Sequence, residues 1–178
     1  MVRRLSALIF LALFASQSRA DDSLFWKNVG DWEISIDTTL SNGCYAVANW
    51  AGGTVLRIGE DPGNGGFYFL IGNTDWTALE PSGSYDLKIQ FDNRLSWNVS
   101  AKGLQFNPDE QVFLFAQSQN REFVQEFRRA NKMKISYQGK VIETLKLVGS
   151  NRAFSEIQTC QRYVDANGLK KQKDPFAE

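Results

Sequence analysis

No histidine occurs anywhere in the 178 residues. That absence excludes Ser-His-Asp and Cys-His catalysis, histidine general-base chemistry and the common zinc sites. Cysteine is nearly as scarce: Cys44 and Cys160 are the only two, too far apart for the close Cys-x-x-Cys spacing of a redox-active pair. No Gly-x-x-x-x-Gly-Lys-Ser/Thr phosphate loop and no Gly-x-Ser-x-Gly nucleophile turn is present. An excess of either charge is also lacking, with 20 basic residues against 20 acidic ones, whereas nucleic-acid binding calls for a strongly basic domain. The sequence therefore predicts no catalytic residue, no metal ligand, no cofactor and no nucleic-acid partner.

Long apolar runs are missing too, apart from one near the start. Met1-Val2-Arg3-Arg4 is basic, Leu5 to Ala15 is apolar except for Ser6, and Ser18-Arg19-Ala20 sets small residues where signal peptidase requires them. The run is too short to cross a bilayer, which takes about 20 apolar residues. Residues 1–20 are expected to be a cleaved signal peptide, with the mature chain in the periplasm and without a transmembrane segment. Cleavage takes three arginines with it, so 20 basic residues fall to 17 against 20 acidic ones, a net charge of −3. In an oxidising compartment Cys44 and Cys160 are expected to pair as a structural disulfide.

What is present is mostly strand. Tyr85, Leu87, Ile89 and Phe91 alternate with polar residues, Asn93-Arg94 turns the chain, and Leu95, Trp97 and Val99 alternate again, the pattern of a hairpin. Met133, Ile135 and Tyr137, a turn at Gly139-Lys140, and Val141 to Val148 form a second. Before them, Trp32–Asp37, Cys44–Trp50, Thr54–Ile58 and Phe67–Ile71 read as strands separated by glycine-rich turns. Phe67-Tyr68-Phe69-Leu70-Ile71 is apolar on both faces and so suits a central, covered strand. With Val112–Phe115 the count is about nine short strands, which predicts a mainly β fold, an antiparallel β-sandwich or barrel. Asn120 is placed to cap a short helix carrying Phe123, Phe127 and Ala130. Ser150 is placed to cap another whose stripe is Ala153, Ile157, Cys160 and Val164. One domain is thus expected over 21–168, followed by a disordered tail at 169–178.

Candidate functional residues are few. Trp76, in Gly72-Asn73-Thr74-Asp75-Trp76-Thr77-Ala78 between two strands, is placed either to stack on a ligand or to fold over one end of the core. Asp75, its neighbour, and Tyr85, at the start of the following strand, complete the candidate binding set. Asp61, Asp75, Glu80 and Asp109 are the loop acids from which a carboxylate-dependent glycosidase would have to draw its pair. Glu60-Asp61-Pro62-Gly63-Asn64 lacks the alternating acids and closing glutamate of an EF-hand loop and reads as a turn. Arg128, Arg129, Lys132 and Lys134 form a local basic cluster, the kind of solvated face favoured at a helix C-terminus.

Gly30-Asp31-Trp32-Glu33-Ile34, Gly43-Cys44-Tyr45-Ala46 and Leu147-Val148-Gly149-Ser150-Asn151-Arg152-Ala153-Phe154 leading to Cys160 carry a likeness. In these segments the chain resembles small periplasmic proteins of alphaproteobacteria in the style of the invasion-associated locus B family. The resemblance implies a periplasmic β domain and no functional residue. Together these readings favour a non-enzymatic binding or interaction protein whose partner is an unidentified protein or envelope component. A second reading is an inhibitor of a cell-wall hydrolase such as lysozyme, since Pro81-Ser82-Gly83-Ser84-Tyr85 is similar to the serine-glycine loop such inhibitors insert.

Overall fold

The computed structural model describes residues 23–169. The expected signal peptide and, apart from Leu169, the expected disordered tail lie outside the described residues; Leu169 itself packs against the core. Ten strands follow one another as β1 (Ser23–Val29), β2 (Trp32–Asp37), β3 (Gly43–Asn49), β4 (Thr54–Asp61), β5 (Gly66–Asn73), β6 (Ser84–Phe91), β7 (Trp97–Leu104), β8 (Phe113–Ser118), β9 (Lys132–Tyr137) and β10 (Lys140–Lys146). Helix α1 (Arg121–Arg129) separates β8 from β9, and α2 (Ser150–Asn167) ends the described chain. The fold is mainly β, as the alternation predicts. All ten strands belong to a single antiparallel sheet in the order β1-β2-β3-β4-β5-β8-β7-β6-β9-β10.

The sheet curls around one core without closing into a barrel. Its inward residues, among them Ile34, Ala46, Ile58, Phe69, Ile89 and Ile135, are almost completely buried. Side chains rather than ladder hydrogen bonds bring β10 back toward the start of the sheet. The Trp32 indole donates to the Val148 carbonyl at 2.9 Å, the Trp50 indole donates to the Lys146 carbonyl at 3.2 Å, and the Thr54 hydroxyl donates to the Glu143 carboxylate.

Two caps complete the core. The Asn120 side chain accepts from the Glu122 amide at 2.9 Å and starts α1, as its sequence position predicts. From α1, Phe123 and Phe127 plug one end of the curled sheet. The second helix packs over β1, β2 and β3 through Ala153, Phe154, Ile157 and Val164, and Cys160 bonds to Cys44 across a separation of 116 residues. Gly149 rather than Ser150 caps α2. The Ser150 hydroxyl donates instead to the Phe127 carbonyl at 3.3 Å, tying the start of α2 to α1.

Several local expectations are corrected. Strand β1 has no counterpart in the sequence reading because a bulge between Phe25 and Lys27 interrupts its alternation. That shift leaves Trp26 facing α2, where its indole donates to Glu156 at 3.0 Å and its ring meets Tyr163 at 5.1 Å. The β9–β10 turn sits at Gln138-Gly139, one residue earlier than expected, because Gln138 (φ 49°) adopts a left-handed conformation beside Gly139. Leu95 belongs to no strand; it lies in the β6–β7 connection and is 91% exposed. The second helix, at 18 residues, is longer than a short element. Of the basic cluster, Arg128 is engaged with α2: its guanidinium donates to Asn151 at 3.0 Å and Ser155 at 3.2 Å and lies over the Phe154 ring.

The covered strand β5 behaves as predicted, and what covers its outer face is polar in an unexpected way. Arg57 lies across the outside of the sheet, its guanidinium 3.6 Å from the Tyr45 ring centre and 5.2 Å from that of Tyr68, paired with Asp37. Burial pushes the Asp37 carboxyl up, but the hydrogen bonds from Thr39 and Arg57 and the guanidinium charge outweigh it and hold the group below its usual range. A folded-state value below the unfolded one means that the pair stabilises above the unfolded pKa of about 3.9 and that this stability is lost as pH falls through the folded value. Asp37→Asn is therefore expected to lower the unfolding free energy by about 1.5–3 kcal/mol at neutral pH. The gap between wild type and variant should narrow as pH falls below about 3.9 and close as pH passes through the lowered folded value. Urea denaturation of both proteins across that range measures it; a gap independent of pH would show that the carboxylate charge is not the stabilising element.

Candidate functional site

At the end of the curled sheet opposite α1, neither of the two described helices fills the opening. Tyr85 and Leu87 at the start of β6, Leu114 on β8, Tyr137 at the end of β9 and Ile142, displaced by a bulge in β10, line that end. The chain leaving β5 folds over it, and its position is fixed at both ends by hydrogen bonds. At the root, the Asn73 side chain accepts from the Asp75 amide at 2.8 Å and donates to the Thr54 hydroxyl at 2.6 Å and the Gly52 carbonyl at 3.0 Å. Thr54 in turn donates to Glu143, so the loop root, β4 and β10 share one polar clasp. At the far end the Glu80 amide donates to the Tyr85 hydroxyl at 2.8 Å, and Ser82 and Gly83 exchange backbone hydrogen bonds with Gly103. A Cβ on Gly103 would lie 2.0 Å from the Glu80 carbonyl oxygen, so only glycine admits the loop this close to β7.

Between loop and sheet lies a pocket of about 390 Å³ lined by Asp75, Trp76, Thr77, Ala78, Leu79, Tyr85, Leu87, Leu114, Tyr137 and Ile142. That is within the range of small-molecule sites, roughly 300–1,000 Å³. Leu87 and Leu114, each 1% exposed, belong to the buried core where the pocket meets it; Trp76 is half-buried and Asp75 is exposed. The Tyr85 and Tyr137 rings meet at 5.7 Å and 60°. Walls of this kind bind through dispersion and dewetting, while the fixed loop spares much of the ordering cost of association.

The three residues singled out from sequence, Asp75, Trp76 and Tyr85, all line this one pocket. Trp76 packs against the edge of the core, as one of its two expected placements has it, and it also lines the cavity. The remaining loop acids lie elsewhere. Asp61 is 2% exposed at the β4–β5 turn, where its carboxylate accepts from the Asn64 amide and side chain and from Gln117 at 2.6 Å. It lies at the opposite end of β5 from Asp75, roughly 20–25 Å away at about 3.3 Å per residue. Glu80 and Asp109 are exposed and do not line the pocket, so its lining carries one carboxylate. Among the described residues no three Asp, Glu or Cys side chains cluster as a metal site, and no helix is long and apolar enough to cross a membrane.

Thr77, Ala78, Leu79, Leu87, Leu114, Tyr137 and Ile142 complete the pocket and are not candidate site residues by sequence. Tyr137 reads there as the third inward residue of an alternating strand, which it is; it becomes a wall because neither described helix covers that end. Comparison with protein families, with curated proteins and with solved structures gave no match.

Proposed function

We propose that this is a non-enzymatic binding protein of the periplasm and that its ligand seats in the pocket beneath the Asp75–Leu79 loop. The observation that carries this reading is the pocket itself: an apolar cavity with aromatic walls, under a loop anchored at both ends. A single carboxylate at its rim supports binding over glycoside hydrolysis, which requires two acids at a defined separation. The disulfide between distant elements and the resemblance to periplasmic proteins of the invasion-associated locus B type support the location.

Titration with the neutral apolar fluorophore N-phenyl-1-naphthylamine tests the reading. Wild type is expected to bind it, and Trp76→Ala to weaken binding by roughly 10–30-fold, the effect of removing a buried aromatic anchor worth about 2 kcal/mol. Equal binding by both proteins, or none by either, would remove the pocket from consideration. In a lysozyme turbidity assay the wild-type protein in excess is expected to leave the enzyme fully active. Inhibition would instead favour the Pro81-Ser82-Gly83-Ser84 segment, whose exposed Pro81, Ser82 and Ser84 border the same end of the sheet.

A further inference from the structure

The pocket lining has a chemical bias beyond being apolar. Three of its side chains are aromatic, Trp76, Tyr85 and Tyr137, and its one charged group, Asp75, is an acid. No lysine or arginine lines it; Lys140, opposite Tyr137 in the β9–β10 hairpin, is exposed outside it. Both tyrosine oxygens already accept hydrogen bonds, from the Glu80 amide at 2.8 Å and the Gln138 side chain at 3.1 Å. Those bonds restrain both side chains, whose rings line the pocket beside Trp76. Aromatic faces are electron-rich and attract cations whose own hydration is weak. A carboxylate at the rim adds to that attraction and repels anions.

We propose that this pocket is an aromatic box for a small organic cation: a trialkylammonium group against Trp76, Tyr85 and Tyr137, Asp75 at its rim, and an apolar chain directed toward Leu87 and Leu114. The inference rests on the pocket being a ligand site, and it specifies the ligand class. A primary ammonium is a poorer fit, because it would leave strong hydration for walls that offer few acceptors. A carboxylate or sulfonate would meet Asp75 and find no cation.

The test is calorimetric titration with three probes of equal chain length, hexyltrimethylammonium, hexanol and hexanesulfonate, against wild type, Asp75→Asn and Tyr137→Leu. The cation is expected to bind wild type at least tenfold more tightly than hexanol, and hexanesulfonate not measurably. Asp75→Asn should weaken the cation several-fold and leave hexanol unchanged. Tyr137→Leu, which keeps the wall apolar, should narrow the cation-to-alcohol ratio. Hexanol bound as tightly as the cation, or a ratio unmoved by both substitutions, would overturn the cation assignment while the apolar pocket, measured with the naphthylamine, stands. Failure of the naphthylamine and all three probes would overturn both. Sedimentation of the protein with phosphatidylcholine vesicles, without binding of the free cation, would overturn a small-molecule ligand in favour of a lipid headgroup.

Discussion

Replacing Cys44 and Cys160 together by alanine is expected to lower the unfolding free energy by about 4–5 kcal/mol, the loop-closure entropy of a cross-link spanning more than a hundred residues. For a domain of this size that corresponds to a fall in melting temperature of roughly 8–20 °C. The cross-link joins β3 to α2, and the chain from β3 to the middle of α2 lies within the loop it closes. Both cysteines are fully buried, and the Cys44 amide donates to the Gln161 side chain at 2.8 Å, so the bond sits inside a contact that packing already holds. Helix α2 should therefore stay docked through Ala153, Phe154, Ile157 and Val164 in the variant. Its far-UV circular dichroism should match the wild type at 20 °C while its urea midpoint falls. Wild type under reductant should reproduce the variant. A loss below about 1 kcal/mol would mean that the unfolded chain gains little freedom from the break and that the loop-closure account is wrong for this protein. The size of the effect also bears on location, because a domain that depends on this bond is far less stable where thiols are kept reduced.

The disulfide was legible from sequence because two cysteines on amphipathic elements leave little choice of partner. Legibility elsewhere followed how local the signal was. The hairpins β6–β7 and β9–β10 declare themselves by alternation, and β5 by being apolar on both faces, because each pattern is complete within one short segment. Strand β1 does not, since its bulge replaces a period of two by half-burial at Ser23, Trp26 and Val29. The Arg57 cluster is invisible for a different reason. Arg57 occupies an outward position on β4, where an arginine ordinarily meets water, and its partners Asp37, Tyr45 and Tyr68 come from three other strands. The pocket falls between these cases. Asp75 and Trp76 stand out as an acid and an aromatic in a loop, and Tyr85 as an aromatic beside it. Tyr137, Leu114 and Ile142 are ordinary core residues by pattern, and which end of the sheet remains uncapped is decided by where α1 docks.

That docking makes Phe123→Ala the most informative substitution in the core, with an expected loss of about 3–5 kcal/mol in unfolding free energy. Phe123 is 5% exposed, and its ring centre lies 5.1 Å from Phe91, 5.5 Å from Phe67, 5.7 Å from Trp97 and 6.2 Å from Phe69. It thus joins residues of β5, β6 and β7 at the end of the sheet that α1 plugs, and truncation removes both apolar area and the edge and stacked contacts of four rings. The surrounding strands are fixed by their ladders and cannot collapse into the space, so the cavity cost is added to the transfer cost. Phe123→Leu, which keeps most of the volume, should lose markedly less. The pocket lies at the other end of the same strands, with Tyr85 and Phe91 at opposite ends of β6. The Trp76 indole N–H resonance in a ¹H–¹⁵N spectrum should therefore keep its wild-type position in the folded fraction of Phe123→Ala, although the urea midpoint drops. A shifted Trp76 resonance would show that the two ends of the sheet move together, and that α1 sets the shape of the binding end as well as closing its own.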